Sequence, residues 1–150
     1  MRNNLILKNI LRSEKNSFII MAKDYFKELD SGFYIKKDFK KNYLESIFKH
    51  KNHFIKYIIV NKKPIGFVKF GIENHYYQKI KVGHIFDLYI KREFRKKKIA
   101  KEVLMIIFKK LKKSNVKKIK IEILKNNKKA KIFWKKIGFL HITEVFQLKL

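Results

Sequence analysis

The chain has 150 residues, 46% of them in the hydrophobic set, with no cysteine and a formal net charge of +27. That length and apolar content describe one domain, residues 1–150, with its own core. The missing cysteine excludes disulfides, thiolate metal ligands and a cysteine nucleophile, and the lack of any run of about 18 apolar residues excludes a transmembrane helix.

The N-terminal stretch MRNNLILKNILRSEKNSF has neither a long apolar segment nor a small-residue cleavage site, so it reads as structure and the protein as cytoplasmic. Leu5–Ile10 form a first predicted strand, with Ser13 as a helix N-cap. From Glu14, the apolar residues Phe18, Met21, Ala22, Tyr25, Phe26 and Leu29 recur at spacings of three and four, one face of a helix that Asp30-Ser31-Gly32 ends. A second helix is predicted from about Asp38, burying Phe39, Tyr43, Leu44, Ile47 and Phe48.

The pattern then turns to strands. Phe54–Val60 and Ile65–Phe70 are rich in β-branched and aromatic residues and flank the turn Asn61–Pro64, which predicts a hairpin; Gly66 marks a bulge or a close backbone contact. Gly71–Gln78 reads as an irregular connection and Lys79–Ile90 as the next strand. A basic connection begins at Arg95, and Ile99, Ala100, Val103, Leu104, Ile107 and Leu111 mark a helix face ending near Ser114-Asn115. Lys118–Ile123 alternates strictly. Asn126 and Asn127 interrupt it, Ala130, Phe133, Trp134 and Ile137 mark a short helix closed by Gly138, and Phe139–Leu150 alternates as one or two final strands. The predicted fold is α/β, or α+β: a mixed, mostly antiparallel sheet with helices packed on it.

Two features invite a functional reading and lose to simpler ones. Only four of the 39 basic residues are arginine and the lysines run through the whole chain, together with abundant Asn, Ile, Phe and Tyr. Codon bias toward A and T accounts for that composition better than specific nucleic-acid recognition, which favours arginine. His50 and His53 have the spacing of two metal ligands on a helix, but no third ligand clusters with them, so no metal is expected.

The strand-to-helix junction at Arg95–Lys101 is different. Backbone N–H groups at a helix start lack intrahelical partners and suit an anion, and Arg95, Lys96, Lys97, Lys98 and Lys101 add charge there. The run DLYIKREFRKKKIAKEVL, with Arg95-Lys96-Lys97-Lys98-Ile99-Ala100 in the place of a Gln/Arg-x-x-Gly-x-Gly/Ala loop, resembles the GNAT superfamily of acetyl-CoA-dependent N-acyltransferases. Asn127, Ala130, Phe133-Trp134 and Gly138-Phe139 match its second motif, and the predicted element order is similar to the family's fold from end to end.

The resemblance implies a splayed strand pair whose free backbone near Leu88, Tyr89 and Ile90 bonds the pantetheine arm of coenzyme A. It also implies a pyrophosphate on the N–H groups of Lys96, Lys97, Lys98, Ile99, Ala100 and Lys101, with Asn127, Phe133 and Trp134 beside the cofactor; Asn127 also reads as a helix N-cap. The chain departs from the family at Lys98, in place of glycine, and at Trp134, where relatives carry the tyrosine that protonates the leaving thiolate. That proton must then come from water, the ammonium product or another side chain such as Tyr89. Asp87, matching an acidic position in relatives, and His84 are the candidate bases, placed by alternation on opposite faces of the strand, and a backbone N–H near Leu88 is the candidate for polarising the thioester carbonyl.

The expected function is transfer of an acetyl group from acetyl-CoA to an amine of a small molecule, peptide or protein, with acidic or neutral amines and protein N-termini repelled less than polyamines. The alternatives are a non-catalytic acyl-CoA-binding module, motivated by Lys98 and Trp134, and a basic nucleic-acid-associated protein, motivated by charge alone. No membrane partner and no metal are implied. A homodimer is compatible with the sequence, which leaves oligomeric state open.

Overall fold

The computed structural model describes residues 4–30 and 38–150. Five strands form one open sheet in the order β1-β2-β3-β4-β5: β1 (Leu5–Asn9), β2 (His53–Val60), β3 (Lys63–Asn74), β4 (Lys81–Ile90) and β5 (Val116–Ile121). The first four pair antiparallel and β5 joins β4 in parallel. Four helices complete the fold: α1 (Lys15–Leu29), α2 (Phe39–Lys49), α3 (Ile99–Lys113) and α4 (Lys128–Ile137).

Both faces of the sheet are covered, so the central strands are nearly continuous in apolar residues. On one face, α1 and α2 bury Phe18, Met21, Ala22, Leu44 and Ile47 against Ile55, Tyr57, Phe67 and Tyr89. On the other, the stripe Ile99, Val103, Leu104, Ile107 and Leu111 of α3, together with Trp134 of α4, closes over Ile58, Val68, Phe70, Ile85 and Ile90. The predicted helix faces are therefore the buried ones, and the mixed, mostly antiparallel sheet with helices on both faces is the observed architecture.

Local chemistry sets the boundaries. Asn61 and Lys62 both have positive φ (48° and 66°), the signature of a tight two-residue hairpin turn between β2 and β3. Gly66 meets both expectations made of it. The register shifts beside it, with Ile58 opposite Gly66 and Ile59 opposite Pro64, and a Cβ at this position would lie 2.0 Å from the Tyr89 carbonyl oxygen. Gly138 ends α4 with φ of 111° and its N–H bonded to the Lys135 carbonyl.

Four expectations need correction. Ser13 caps no helix: it sits in a 3-10 turn, Arg12–Glu14, where the Glu14 carboxylate accepts the Leu11 N–H at 2.9 Å and pairs with Lys8. Gly71–Asn74 continue β3 instead of forming an irregular connection, because β4 runs beside them as far as Asn74 opposite Lys81. His50 follows α2 and His53 opens β2, so the two histidines straddle a turn and share no helix. Residues 139–150 form no strand. Leu140, Ile142, Val145, Phe146, Leu148 and Leu150 are all at least 82% exposed, since an alternating pattern becomes a strand only where another strand offers its backbone. Ser31 and Gly32, expected to end the first helix, lie outside the described residues.

Gly66→Ala is expected to destabilise the fold by at least about 2 kcal/mol, because the methyl group meets backbone that cannot move without unpairing β3 from β4. The denaturant midpoint of the variant checks this, and a shift of a few tenths of a kcal/mol would contradict the packing at Gly66.

Candidate active site

The site begins where two strands part. β4 and β5 pair from Lys81/Val116 to Ile85/Ile121, and there β5 ends. β4 continues to Ile90 with β3 on its other side, so residues 86–90 have one edge without a strand partner among the described residues. The Tyr89 carbonyl points toward Gly66 of β3, and alternation then turns the backbone groups of Leu88 and Ile90 to the open edge. The Ile90 carbonyl is already bonded by Arg95 Nε at 2.6 Å. What the edge offers an added extended chain is therefore the N–H and C=O of Leu88 and the N–H of Ile90, and the backbone of Tyr89 is not part of it.

The connection after β4 is built to expose N–H groups. A 3-10 turn, Arg92–Phe94, leads to Lys96 and Lys98, both with left-handed φ (63° and 61°), and α3 starts at Ile99. Alternating left- and right-handed residues curl successive N–H groups toward one point, an anion nest. Among the described residues no acceptor takes the N–H groups of Lys96–Lys101, and Lys98, at the N-cap, offers no side-chain cap. Lys98 thus holds the glycine-like backbone that its place in the loop requires, with a strain of about 1 kcal/mol for a residue with a Cβ. The loop is exposed, with Lys96, Lys97 and Lys98 all reaching solvent.

Arg95, expected among the anion ligands, is a strut. Besides holding the Ile90 carbonyl, its guanidinium pairs with Glu28 of α1 at 2.7 Å and lies 5.6 Å above the Tyr89 ring. Arg92 reaches the same carboxylate at 3.2 Å. These bonds fasten the end of β4 and the start of the loop to α1.

On the α1–α2 face a bulge rearranges β4. Lys69 faces Asp87 and Phe70 faces Ile85, which leaves Phe86 unopposed. Alternation is thereby reset. Ile85, Leu88 and Ile90 turn to the α3 face, and His84, Asp87 and Tyr89 come together on the other. The expectation that His84 and Asp87 face opposite ways fails for this reason.

Asp87 accepts a hydrogen bond from the Tyr43 hydroxyl at 3.2 Å and a second from Tyr25, with Lys69 close by. Burial pushes its carboxyl above the usual carboxylate range, against the opposing pull of those three groups. Burial beside the carboxylate raises both tyrosines, Tyr43 the more deeply enclosed. Lys69, its ammonium 5.1 Å from the Phe86 ring and 5.5 Å from Tyr43, is lowered by burial.

His84 is 8% exposed and its ring lies 4.0 Å from that of Phe86. Glu73 Oε1 stands 3.6 Å from its Nδ1, too long for a hydrogen bond, and among the described residues Nδ1 has no hydrogen-bond partner. Burial, with help from Lys120, lowers the imidazole below its ordinary value, and Glu73 and Glu122 oppose this. Neutral imidazole is the form that accepts a proton. Tyr89 is buried against Phe67 and Tyr25, and burial raises its hydroxyl, which keeps it protonated.

Trp134 lies across the sheet from Tyr89, in the α3 cluster, with Phe133 and Phe139 edge-on at 5.2 and 5.1 Å. Asn127 caps α4: its Oδ1 accepts the Ala130 N–H at 3.0 Å. Among the described residues no group of three or more His, Asp or Glu side chains is placed to hold a metal ion, and no helix is long and apolar enough to cross a membrane. The sequence points to the helices near Tyr25–Phe48 and to Glu73–Gln78 as an acceptor side, but it does not single out Tyr25, Tyr43, Lys69, Glu73 or Glu28 as neighbours of Asp87, His84 and Arg95. The one signal for them was Asp87 itself, a carboxylate in an apolar strand that needs partners.

A family model described as the acetyltransferase (GNAT) family matches residues 18–139. No curated protein matches the chain in sequence. Among solved structures the chain is similar to a possible acetyltransferase from Clostridium difficile 630 (13% identity, 97% of each chain, TM-score 0.81). It is also similar to a GNAT family acetyltransferase of Staphylococcus aureus (22% identity, 97% of this chain and 98% of that one, TM-score 0.73). A third is the aminoglycoside N-acetyltransferase AAC(6')-Iy solved with CoA (13% identity, 100% of this chain and 97% of that one, TM-score 0.76).

Asp87→Asn is expected to raise stability at neutral pH by up to about 1 kcal/mol, because a half-buried charge is replaced by a neutral acceptor for the same hydroxyls. The sign of the pH dependence follows from the raised carboxyl. The folded state holds that proton more tightly than the unfolded chain, so this group's contribution is full below the ordinary carboxylate value and is lost as pH rises through the folded value. Denaturant midpoints of both proteins from pH 4 to 8 should therefore diverge as pH rises, and a constant difference would contradict the burial of Asp87.

Proposed function

This chain belongs to the acetyltransferase (GNAT) family, and we propose that it transfers an acetyl group from acetyl-CoA to an amine in the cytoplasm. The observation that carries the reading is the pairing of two vacant hydrogen-bonding surfaces. The open edge of β4 at Leu88 and Ile90 runs directly into the unpartnered N–H groups of Lys96–Lys101. An extended amide-containing arm ending in a pyrophosphate fits both at once.

Acetyl-CoA, when bound, supplies the thioester carbonyl that an amine attacks. The chain's own groups do the rest. The Leu88 N–H is placed to polarise that carbonyl. His84, kept neutral by burial, accepts the proton of the incoming ammonium, by way of water where the distance requires it. Asp87, clamped by Tyr25 and Tyr43, provides the negative charge that draws the amine to the α1–α2 side of β4. Tyr89 stays protonated on that side and is the nearest hydroxyl on the strand to donate to a departing thiolate. Trp134 packs in the other layer and serves as core and wall. The acceptor is a small-molecule or peptide amine whose ammonium pairs with Asp87.

Incubation with labelled acetyl-CoA and a panel of amines tests the reading, with release of CoA that depends on the amine as the expected outcome. Tight CoA binding with no amine-dependent release would favour a non-catalytic acyl-CoA-binding module instead. The anion nest makes a second prediction. Lys96→Glu with Lys97→Glu should weaken CoA binding about tenfold or more at low salt and progressively less as salt is added. Calorimetry across a salt series checks it, and unchanged affinity would remove the pyrophosphate from this loop.

A further inference from the structure

We propose that the turn between β3 and β4, with the start of β5 beside it, binds single-stranded nucleic acid, its two exposed tyrosines stacking bases and the surrounding lysines holding phosphates. The site lies at the end of the sheet away from the Lys96–Lys101 loop. Asn74 of β3 faces Lys81 of β4, and Lys81 faces Val116 of β5. Residues 75–80 and 115–118 therefore share that end, about 30 Å along β4 from Ile90. Between them is a cleft of about 400 Å³, lined by the turn together with Lys81, Asn115 and Lys117. Tyr76 and Tyr77 stand beside it, 90% and 66% exposed.

The turn is pinned from within. The His75 N–H donates to the Ile80 carbonyl at 3.0 Å, the Ile80 N–H to the Gln78 carbonyl at 2.7 Å, and His75 Nδ1 accepts the Gln78 N–H at 3.2 Å. Neither tyrosine hydroxyl takes part in these bonds, and neither ring belongs to the two cores. The rings are nevertheless held in place. His75 stacks on Tyr76 at 5.0 Å with 18° between the planes, and Tyr77 stands nearly perpendicular to both, at 4.4 Å from Tyr76 and 4.5 Å from His75. Fixed aromatic rings open to solvent are what unpaired bases stack on.

Charge in the cleft has one sign. Its lining includes Lys79, Lys81 and Lys117 and no carboxylate, and Lys118 reaches the turn through Gln78 Oε1 at 3.2 Å. Among the described residues none of these four lysines is in an ion pair. The nearby Glu73 is already held by Lys120 at 2.9 Å, and Lys112 and Lys113 offset the negative end of α3. Lysine is spread over the whole chain, so charge alone names no partner; charge around two exposed rings does. A duplex hides its base faces, and a free mononucleotide brings one base to two rings. A single strand supplies bases and phosphates in series. With lysine in place of arginine the phosphates are held as point charges, and the binding is sequence-tolerant.

Fluorescence anisotropy of a short labelled oligothymidylate with the full chain tests the proposal without reference to activity. The expected result is binding that weakens as salt rises and that favours the single strand over a duplex of the same length. Tyr76→Ala with Tyr77→Ala should weaken it about tenfold or more, and Tyr76→Phe with Tyr77→Phe, which keeps the rings, should restore it. Equal affinity of the alanine variant and the wild type would show a polycation with no seat for bases and overturn the proposal. Preference for the duplex, or thymidine monophosphate binding as tightly as the oligomer, would overturn it too. If the alanine variant does not fold, proton NMR of the wild type decides: upfield shifts of the Tyr76 and Tyr77 ring signals on titration uphold stacking, and ring signals unmoved at saturation overturn it.

Discussion

Beyond Ile85 the fourth strand has, among the described residues, a strand partner on one side only, and the candidate site is built on that open edge. Unpaired backbone inside a sheet is costly unless something else takes its place. Here β5 leaves at Ile121, Leu88 and Ile90 pack in one core with α3 and Trp134 of α4, and α1 grips the end of β4 through Glu28 and Arg95 on the other face. The open edge suits an extended ligand. Two left-handed lysines then carry the same invitation around the corner to the start of α3.

One unopposed residue, Phe86, decides what faces the vacancy from the acceptor side. Without the bulge, His84 and Asp87 would lie in different layers. With it, a neutral imidazole, a half-buried carboxylate and a protonated phenol share one face of β4 within a few residues of Leu88. The same burial perturbs all of them, and in each case it favours the uncharged form. Tyr25 and Tyr43 soften this for Asp87, and Glu73 does so for His84.

Much of this was legible in the chain. The helix stripes, the hairpin at Asn61–Pro64, the close approach at Gly66 and the basic helix start each rest on spacing or on one residue type with a single conformational meaning. The rest depends on contacts that spacing does not encode. The tie from Arg95 to Glu28 is invisible in the sequence because its partner lies 67 residues away. The bulge at Phe86 has no residue signature, so strict alternation misplaced His84 against Asp87. In Phe139–Leu150 the alternation is real, but a strand also needs an edge to pair with, and none among the described residues is paired with it.

Lys98 shows how the loop tolerates its departure from glycine: the backbone takes the left-handed form and the side chain turns to solvent. That leaves the N–H groups as the central claim. The direct measurement is amide NMR of the chain titrated with CoA. Large shifts confined to Leu88, Ile90 and Lys96–Lys101, with the Arg95 side chain still bonded to Glu28, are the predicted result. Shifts centred elsewhere, or a loop whose amides stay unchanged at saturation, would contradict it.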